Sequence, residues 1–133
     1  MRRRLFSAGV LAMTSAHACT QEPASPVGSW LLDGLGGAPV AHGVASTLEI
    51  APDGTVSGTG GCNRYRGRAE IGQGNIAFSP LAATRMACPG PAMEQEQCLF
   101  AALAAARRFR VDGAALLLLG EDGALVARFS RSL

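Results

Sequence analysis

The stretch Asp53-Gly54-Thr55-Val56-Ser57-Gly58-Thr59-Gly60-Gly61-Cys62-Asn63-Arg64-Tyr65-Arg66-Gly67-Arg68 decides how this chain folds. It opens on a turn, Ala51-Pro52-Asp53-Gly54, in which Pro pre-sets φ and Gly supplies φ > 0. Before the turn, Ser46-Thr47-Leu48-Glu49-Ile50 alternates, with Leu48 and Ile50 on one face and Thr47 and Glu49 on the other. After it Thr55-Val56-Ser57-Gly58 resumes the ladder, so residues 46–58 predict a β-hairpin. The glycines that follow fit neither a phosphate-binding loop, which needs a Gly-Lys-Ser/Thr ending, nor a dinucleotide fingerprint, which needs a helix behind it. They predict a bulged, tightly turned strand end where backbones approach closely. Beyond them, strand alternation sets Arg64, Arg66 and Arg68 on one solvated face and Tyr65 inward.

Outward from this stretch the same pattern repeats. Ser29 to Asp33 is a short apolar segment ending in glycines. Arg68–Ile71, a Gly72-Gln73-Gly74-Asn75 turn and Ile76–Phe78 predict a second hairpin. Phe109–Val111 and Ala114–Leu119 flank Asp112-Gly113, and the four consecutive leucines of the latter predict a strand buried on both faces. Leu125, Ala127 and Phe129 share one face of a last strand. A single helix interrupts the strands. Pro91 suits a first helical position, Glu94 and Glu96 favour the N-terminal dipole, and Arg107 and Arg108 favour the other end. Met93, Gln97, Phe100 and Ala104 form one stripe and Leu99, Leu103 and Ala106 the next. The fold class is therefore mainly β (α+β): a compact curved antiparallel sheet, barrel-like, with one amphipathic covering helix.

The chain has 133 residues, 48% apolar and 17% charged, with 17 Gly and 7 Pro. That is enough for one domain, and too turn-rich for a helical bundle or coiled coil. All of its cations are Arg, which with the abundant Ala matches a bacterial protein of high genomic GC content. Arg2-Arg3-Arg4 followed by a short apolar run from Leu5 to Ala16 has the proportions of a signal peptide, residues 1–18. Ala16-His17-Ala18 then precedes Cys19. A general signal peptidase accepts Ala-x-Ala, whereas a lipoprotein peptidase needs Cys19 diacylated first. Ala16 and His17 depart from the usual Leu-like and small residues of a lipobox, while the polar tether of residues 19–26 suits an anchored domain. Two outcomes stand: an exported protein anchored to a membrane through a lipidated Cys19, in the periplasm or outer membrane, or a secreted soluble one. The domain proper is expected over 27–133. Without the leader, nine Arg face ten acids, a formal charge of −1. That balance argues against nucleic acid, although a local cluster of Arg remains for anionic lipid or an envelope polymer.

Chemistry is sparse. Cys62, Cys88 and Cys98 lack any Cys-x-x-Cys pair, so no metal is expected, and no cofactor motif is present. In an oxidising compartment a disulfide is the default for two of them, and closing the Cys62–Cys88 loop would contribute about 3 kcal/mol. Cys98 reads as a small buried hydrophobe. A Cys98–His42 nucleophilic dyad lacks an orienting residue, no Ser–His–Asp set or paired catalytic carboxylates stand out, and no catalytic residue is assigned.

Three blocks together resemble a known family: Asp53-Gly54-x-Val56-x-Gly58-x-Gly60-Gly61-Cys62-Asn63-Arg64-Tyr65, then Leu81-Ala82-Ala83-Thr84-Arg85-Met86-Ala87-Cys88-Pro89, then Met93-Glu94-x-Glu96, with Trp30-x-Leu32 upstream. They resemble the META-domain family of HslJ-like bacterial envelope proteins across about residues 27–131. The resemblance implies a small exported domain or lipoprotein with a compact antiparallel β fold and one helix, supports pairing Cys62 with Cys88, and implies association with heat or antibiotic stress, in a family with no established enzymatic activity. Two readings follow. One is a non-catalytic, monomeric envelope module that binds an envelope protein or polymer through a surface around Asn63, Arg64, Tyr65 and Arg66, with Thr84 and Arg85 brought alongside if Cys62 bonds Cys88. The other is a small hydrolase or transferase using Cys98 or the polar groups near Asn63. An inhibitor of a secreted hydrolase is a third possibility, with no inhibitory loop identified.

Overall fold

The computed structural model describes Gly9 and residues 24–132. The expected signal peptide (apart from Gly9), Cys19 and most of the expected tether therefore lie outside the described residues. The elements run β1 (Gly28–Leu35), β2 (Ala38–Pro39), β3 (Thr47–Ile50), β4 (Thr55–Thr59), β5 (Arg64–Ile71), β6 (Ile76–Phe78), β7 (Ala82–Ala83), α1 (Pro91–Ala105), β8 (Arg108–Asp112), β9 (Ala115–Leu119) and β10 (Leu125–Arg131). Across the sheet the order is β6-β5-β4-β3-β1-β10-β9-β8, with β2 beside β1 and β7 beside β5. Every pairing is antiparallel. The two ends nearly meet: Asn75 bridges Arg108, the Ile76 amide donates to the Arg107 carbonyl at 3.1 Å, and the Phe109 amide donates to the Gly74 carbonyl at 3.1 Å. Closing a sheet this way covers edge strands that would otherwise offer unpaired backbone groups to another chain.

Alternation builds the interior as the sequence predicts. Trp30, Leu32, Leu48, Ile50, Val56 and Tyr65 point inward from the first half of the sheet, and Phe109, Leu116, Leu118, Ala127 and Phe129 from the second. Trp30 is fully buried; its indole N–H donates to the Pro26 carbonyl at 2.8 Å, and the Arg131 guanidinium stacks over its ring at 4.4 Å. Pro26, the last residue of the expected tether, is itself buried. The leucine-rich strand β9 is buried on one face only. Leu116 and Leu118 enter the core, while Leu117 and Leu119 are half-buried on the barrel's outer surface. Leu125 leaves the Ala127–Phe129 face because a bulge falls between Leu125 and Ala127 and shifts the register by one residue.

Pro91 begins α1 as expected, behind Gly90 in a positive-φ conformation. Leu99 and Leu103 are fully buried by packing on the sheet, each stabilising by about 2 kcal/mol. The helix is rotated relative to the predicted stripes. Gln97 and Ala104 are exposed, and Gln95 and Glu96 are buried in their place. Past its end, Arg107 donates to the carbonyls of Ala104 and Ala106, both at 2.8 Å, satisfying acceptors the last turn leaves open.

Truncating Leu103 to Ala at the helix–sheet contact is expected to cost about 3 kcal/mol in urea unfolding. A loss of under about 0.5 kcal/mol would mean the helix does not close the core.

Candidate functional site

The glycine-rich strand end after β4 is the point where helix, sheet and the loop following β7 meet. Glu96, 3% exposed, accepts hydrogen bonds on Oε1 from the backbone amides of Cys62 (3.1 Å) and Asn63, and on Oε2 from the Asn63 amide nitrogen at 2.8 Å. Asn63, also 3% exposed, turns its other contacts to the neighbouring loop. Its Oδ1 accepts from the Met86 amide at 2.7 Å and the Thr84 hydroxyl at 2.9 Å, and its Nδ2 also donates to the Met86 carbonyl at 3.1 Å. Glycine is required here because the helix comes so close: a Cβ on Gly60 would lie 2.6 Å from the Glu96 Cγ. Beside this network Gln95 ties the helix to the 41–46 segment. It accepts from the Ala41 amide at 2.7 Å and donates to the Ser46 hydroxyl at 2.8 Å, and Ser46 in turn donates to the Gly60 carbonyl.

Cys62 and Cys88 form a disulfide with Cα atoms 5.9 Å apart, so the loop after β7 is held covalently as well. Together these bonds lay the loop along β5. The Thr84 amide donates to the Arg64 carbonyl at 3.0 Å, and the Arg64 amide donates to the Thr84 hydroxyl at 3.2 Å. Arg64 and Arg66 share one exposed face of β5, and Thr84 and Arg85 are exposed on the loop laid beside it. Asn63 and Tyr65 lie beneath that face, not on it. Tyr65 is 1% exposed, meets Phe100 edge-on with ring centroids 5.4 Å apart, and donates its hydroxyl to the Thr47 carbonyl at 2.6 Å.

Three outcomes depart from the sequence-based expectations. Glu96 does not act through the helix dipole; it is a buried acceptor for the Cys62–Asn63 turn. Its identity as the glutamate of Met93-Glu94-x-Glu96 gave no cue to this, since periodicity alone placed the pair at a helix start. Cys98 is not a buried hydrophobe but a free, exposed thiol on the outer side of α1, next to a shallow cleft lined by Leu35, Pro39, Ala41 and Pro91. Gln95, overlooked in the sequence, is the third link between helix and loops. Among the described residues no cluster of three His, Cys, Asp or Glu side chains is arranged to hold a metal, and no helix is long and apolar enough to cross a membrane.

The chain belongs to the META domain family, whose model matches residues 23–132. Among solved structures it is similar to a protein from Burkholderia xenovorans determined by NMR, 29% identical, with a TM-score of 0.65 over 79% of this chain and 81% of that one. A second NMR structure aligns at 20% identity and a TM-score of 0.62, over 78% and 88%. A DUF4847 family protein from Bacteroides vulgatus aligns at 17% identity and 0.59, over 79% and 92%; these last two show the shared fold. No curated protein matches the chain.

Replacing Glu96 by Ala strips the acceptor from two backbone amides and one side-chain amide in a buried place. It is expected to cost about 3 kcal/mol by chemical denaturation, against under about 0.5 kcal/mol for Cys98→Ala. Equal effects would contradict the clamp. Burial pushes the Tyr65 phenol above its ordinary value. Its folded pKa is raised, so its contribution is fully present below the unfolded pKa near 10 and is lost as pH rises through the folded value. The only tyrosine in the chain should therefore show no tyrosinate absorbance in the native protein at about pH 11, while unfolding becomes easier above about pH 10. Ionisation at the pH of a free phenol would place Tyr65 in solvent.

Proposed function

We propose that this chain is a non-catalytic exported envelope protein, anchored through an acylated Cys19, that supports envelope integrity under heat or antibiotic stress by binding an envelope partner. The observation that carries the reading is the construction of the Arg64–Arg66–Thr84–Arg85 face. A disulfide and six hydrogen bonds around Asn63 and Glu96 hold one loop against β5. What that loop and β5 present to solvent is the guanidiniums of Arg64, Arg66 and Arg68 from the strand and that of Arg85 from the loop. Membership of the META domain family and a disulfide of the kind that persists in oxidising compartments support an extracytoplasmic setting.

The competing enzyme reading places chemistry at Asn63 or Cys98. Both ends of the Asn63 amide are engaged in holding the loop, which leaves it no capacity to polarise a substrate. Cys98 lines a cleft that neither Asn63 nor His42 lines. Glu94 also lines that cleft, and among the described residues it makes no hydrogen bond with the Cys98 thiol.

Fractionation of cells carrying the full chain is expected to leave wild type with the membranes and to release Cys19→Ser into the soluble fraction. Stress survival is expected to fall in the Arg64→Ala/Arg85→Ala double variant and to be unchanged in Cys98→Ala. Survival that depends on Cys98 while folding is intact would favour the enzyme instead.

A further inference from the structure

On the outer surface of the barrel, β3, β4 and β5 enclose a groove of about 450 Å³ whose lining includes Thr47, Glu49, Ser57, Thr59, Arg64 and Arg66. The groove is a built gap in the sheet. The β3–β4 ladder pairs Glu49 with Ser57 and Ile50 with Val56, and goes no further. Beyond it the polar groups freed by the missing pairs find partners inside the protein: Tyr65 donates its hydroxyl to the Thr47 carbonyl, and the Thr59 amide donates to the Thr47 hydroxyl at 2.9 Å. Gly58 keeps the gap possible, because a side chain there would strike the Thr47 carbonyl oxygen and the Tyr65 hydroxyl.

Charges of both signs face this groove from opposite sides. Arg64 and Arg66 stand on the same face of β5, about 7 Å apart along the strand. Glu49 stands on β3, two strand spacings or about 10 Å from the β5 backbone, with Ser57 between. The Ser29 hydroxyl donates to Glu49 Oε1 at 3.0 Å and steadies that carboxylate. Yet Glu49 pairs with neither arginine. Among the described residues the one ion pair within 4.0 Å joins Arg128 to Asp33, elsewhere on the barrel. The only tyrosine ring lies buried below the groove, so no aromatic platform is offered to a base or sugar.

A purely anionic ligand would meet Glu49, and a purely cationic one would meet the arginine pair. A ligand with both charges a few ångströms apart satisfies both walls. We propose that this groove binds a phosphoamine: a phosphoryl group held by the forked donors of Arg64 and Arg66 with the Ser57 and Thr59 hydroxyls, and a primary ammonium held by Glu49, as in phosphoethanolamine. This rests on the β5 face being the binding surface and narrows what that surface takes.

Calorimetric titration of the full chain with O-phosphoethanolamine, inorganic phosphate, phosphocholine and ethanolamine tests it. Phosphoethanolamine is expected to bind about threefold to tenfold more tightly than phosphate, with phosphocholine, which has no ammonium N–H, at the level of phosphate. Arg66→Ala is expected to weaken phosphoethanolamine about tenfold. Glu49→Gln is expected to abolish the preference over phosphate without weakening phosphate itself. Vesicles of phosphatidylethanolamine in phosphatidylcholine separate the sources. Glu49-dependent retention assigns the group to a lipid headgroup, and titration binding without vesicle retention assigns it to a soluble or polymer-borne phosphoamine. Equal affinity for phosphate and phosphoethanolamine, or phosphoethanolamine affinity undiminished by Arg66→Ala, overturns the proposal. If the titrations fail while the Arg64→Ala/Arg85→Ala variant still loses stress survival, the ligand class is wrong and the binding surface stands.

Discussion

The carboxylate of Glu96 accepts two backbone amides and one side-chain amide from Cys62 and Asn63, inside the protein, from a helix that approaches closely enough to require glycine at position 60. A buried carboxylate without a counter-cation is costly unless its oxygens are fully hydrogen-bonded, and here the turn supplies the donors. The bond set works in both directions. It fixes the helix against the strand end, and it orients Asn63 so that the amide's remaining capacity grips the loop at Thr84 and Met86. The disulfide one residue away closes the same loop covalently. The placing of the exposed Thr84–Arg85 loop beside Arg64 is a consequence of this arrangement.

The sheet was legible because its signals are local. Period-2 alternation set Leu48, Ile50, Val56 and Tyr65 inward, and Pro-Asp-Gly and Gly-Gln-Gly-Asn marked the hairpins where the backbone turns. The leucine run of β9 misled because an apolar outward residue on a barrel wall looks the same in sequence as one covered by a second layer. Leu125 misled because a bulge is a one-residue insertion with no residue type of its own to announce it.

The candidate site was legible only in part. Spacing placed the arginines on a common solvated face, and the family resemblance brought Thr84 and Arg85 beside them. The polar core beneath was hidden, since a glutamate near a helix start and the glutamine before it have an ordinary local explanation. Their burial depends on which way the helix is rotated against the sheet, a long-range matter decided by Leu99, Leu103 and the close approach at Gly60. Cys98 went the other way for the same reason: the rotation that buries Glu96 and Leu99 carries Gln97 and Cys98, which lie between them, outward.

Amide exchange at Met86, compared in two full-chain variants, tests the central claim most directly. If the Glu96–Asn63 clamp holds the loop, the Met86 amide stays protected when Cys62 and Cys88 are both replaced by Ser, and exchanges rapidly in Asn63→Ala with the disulfide intact and the barrel core still protected. The reverse order, rapid exchange on losing the disulfide and full protection without Asn63, would contradict the account.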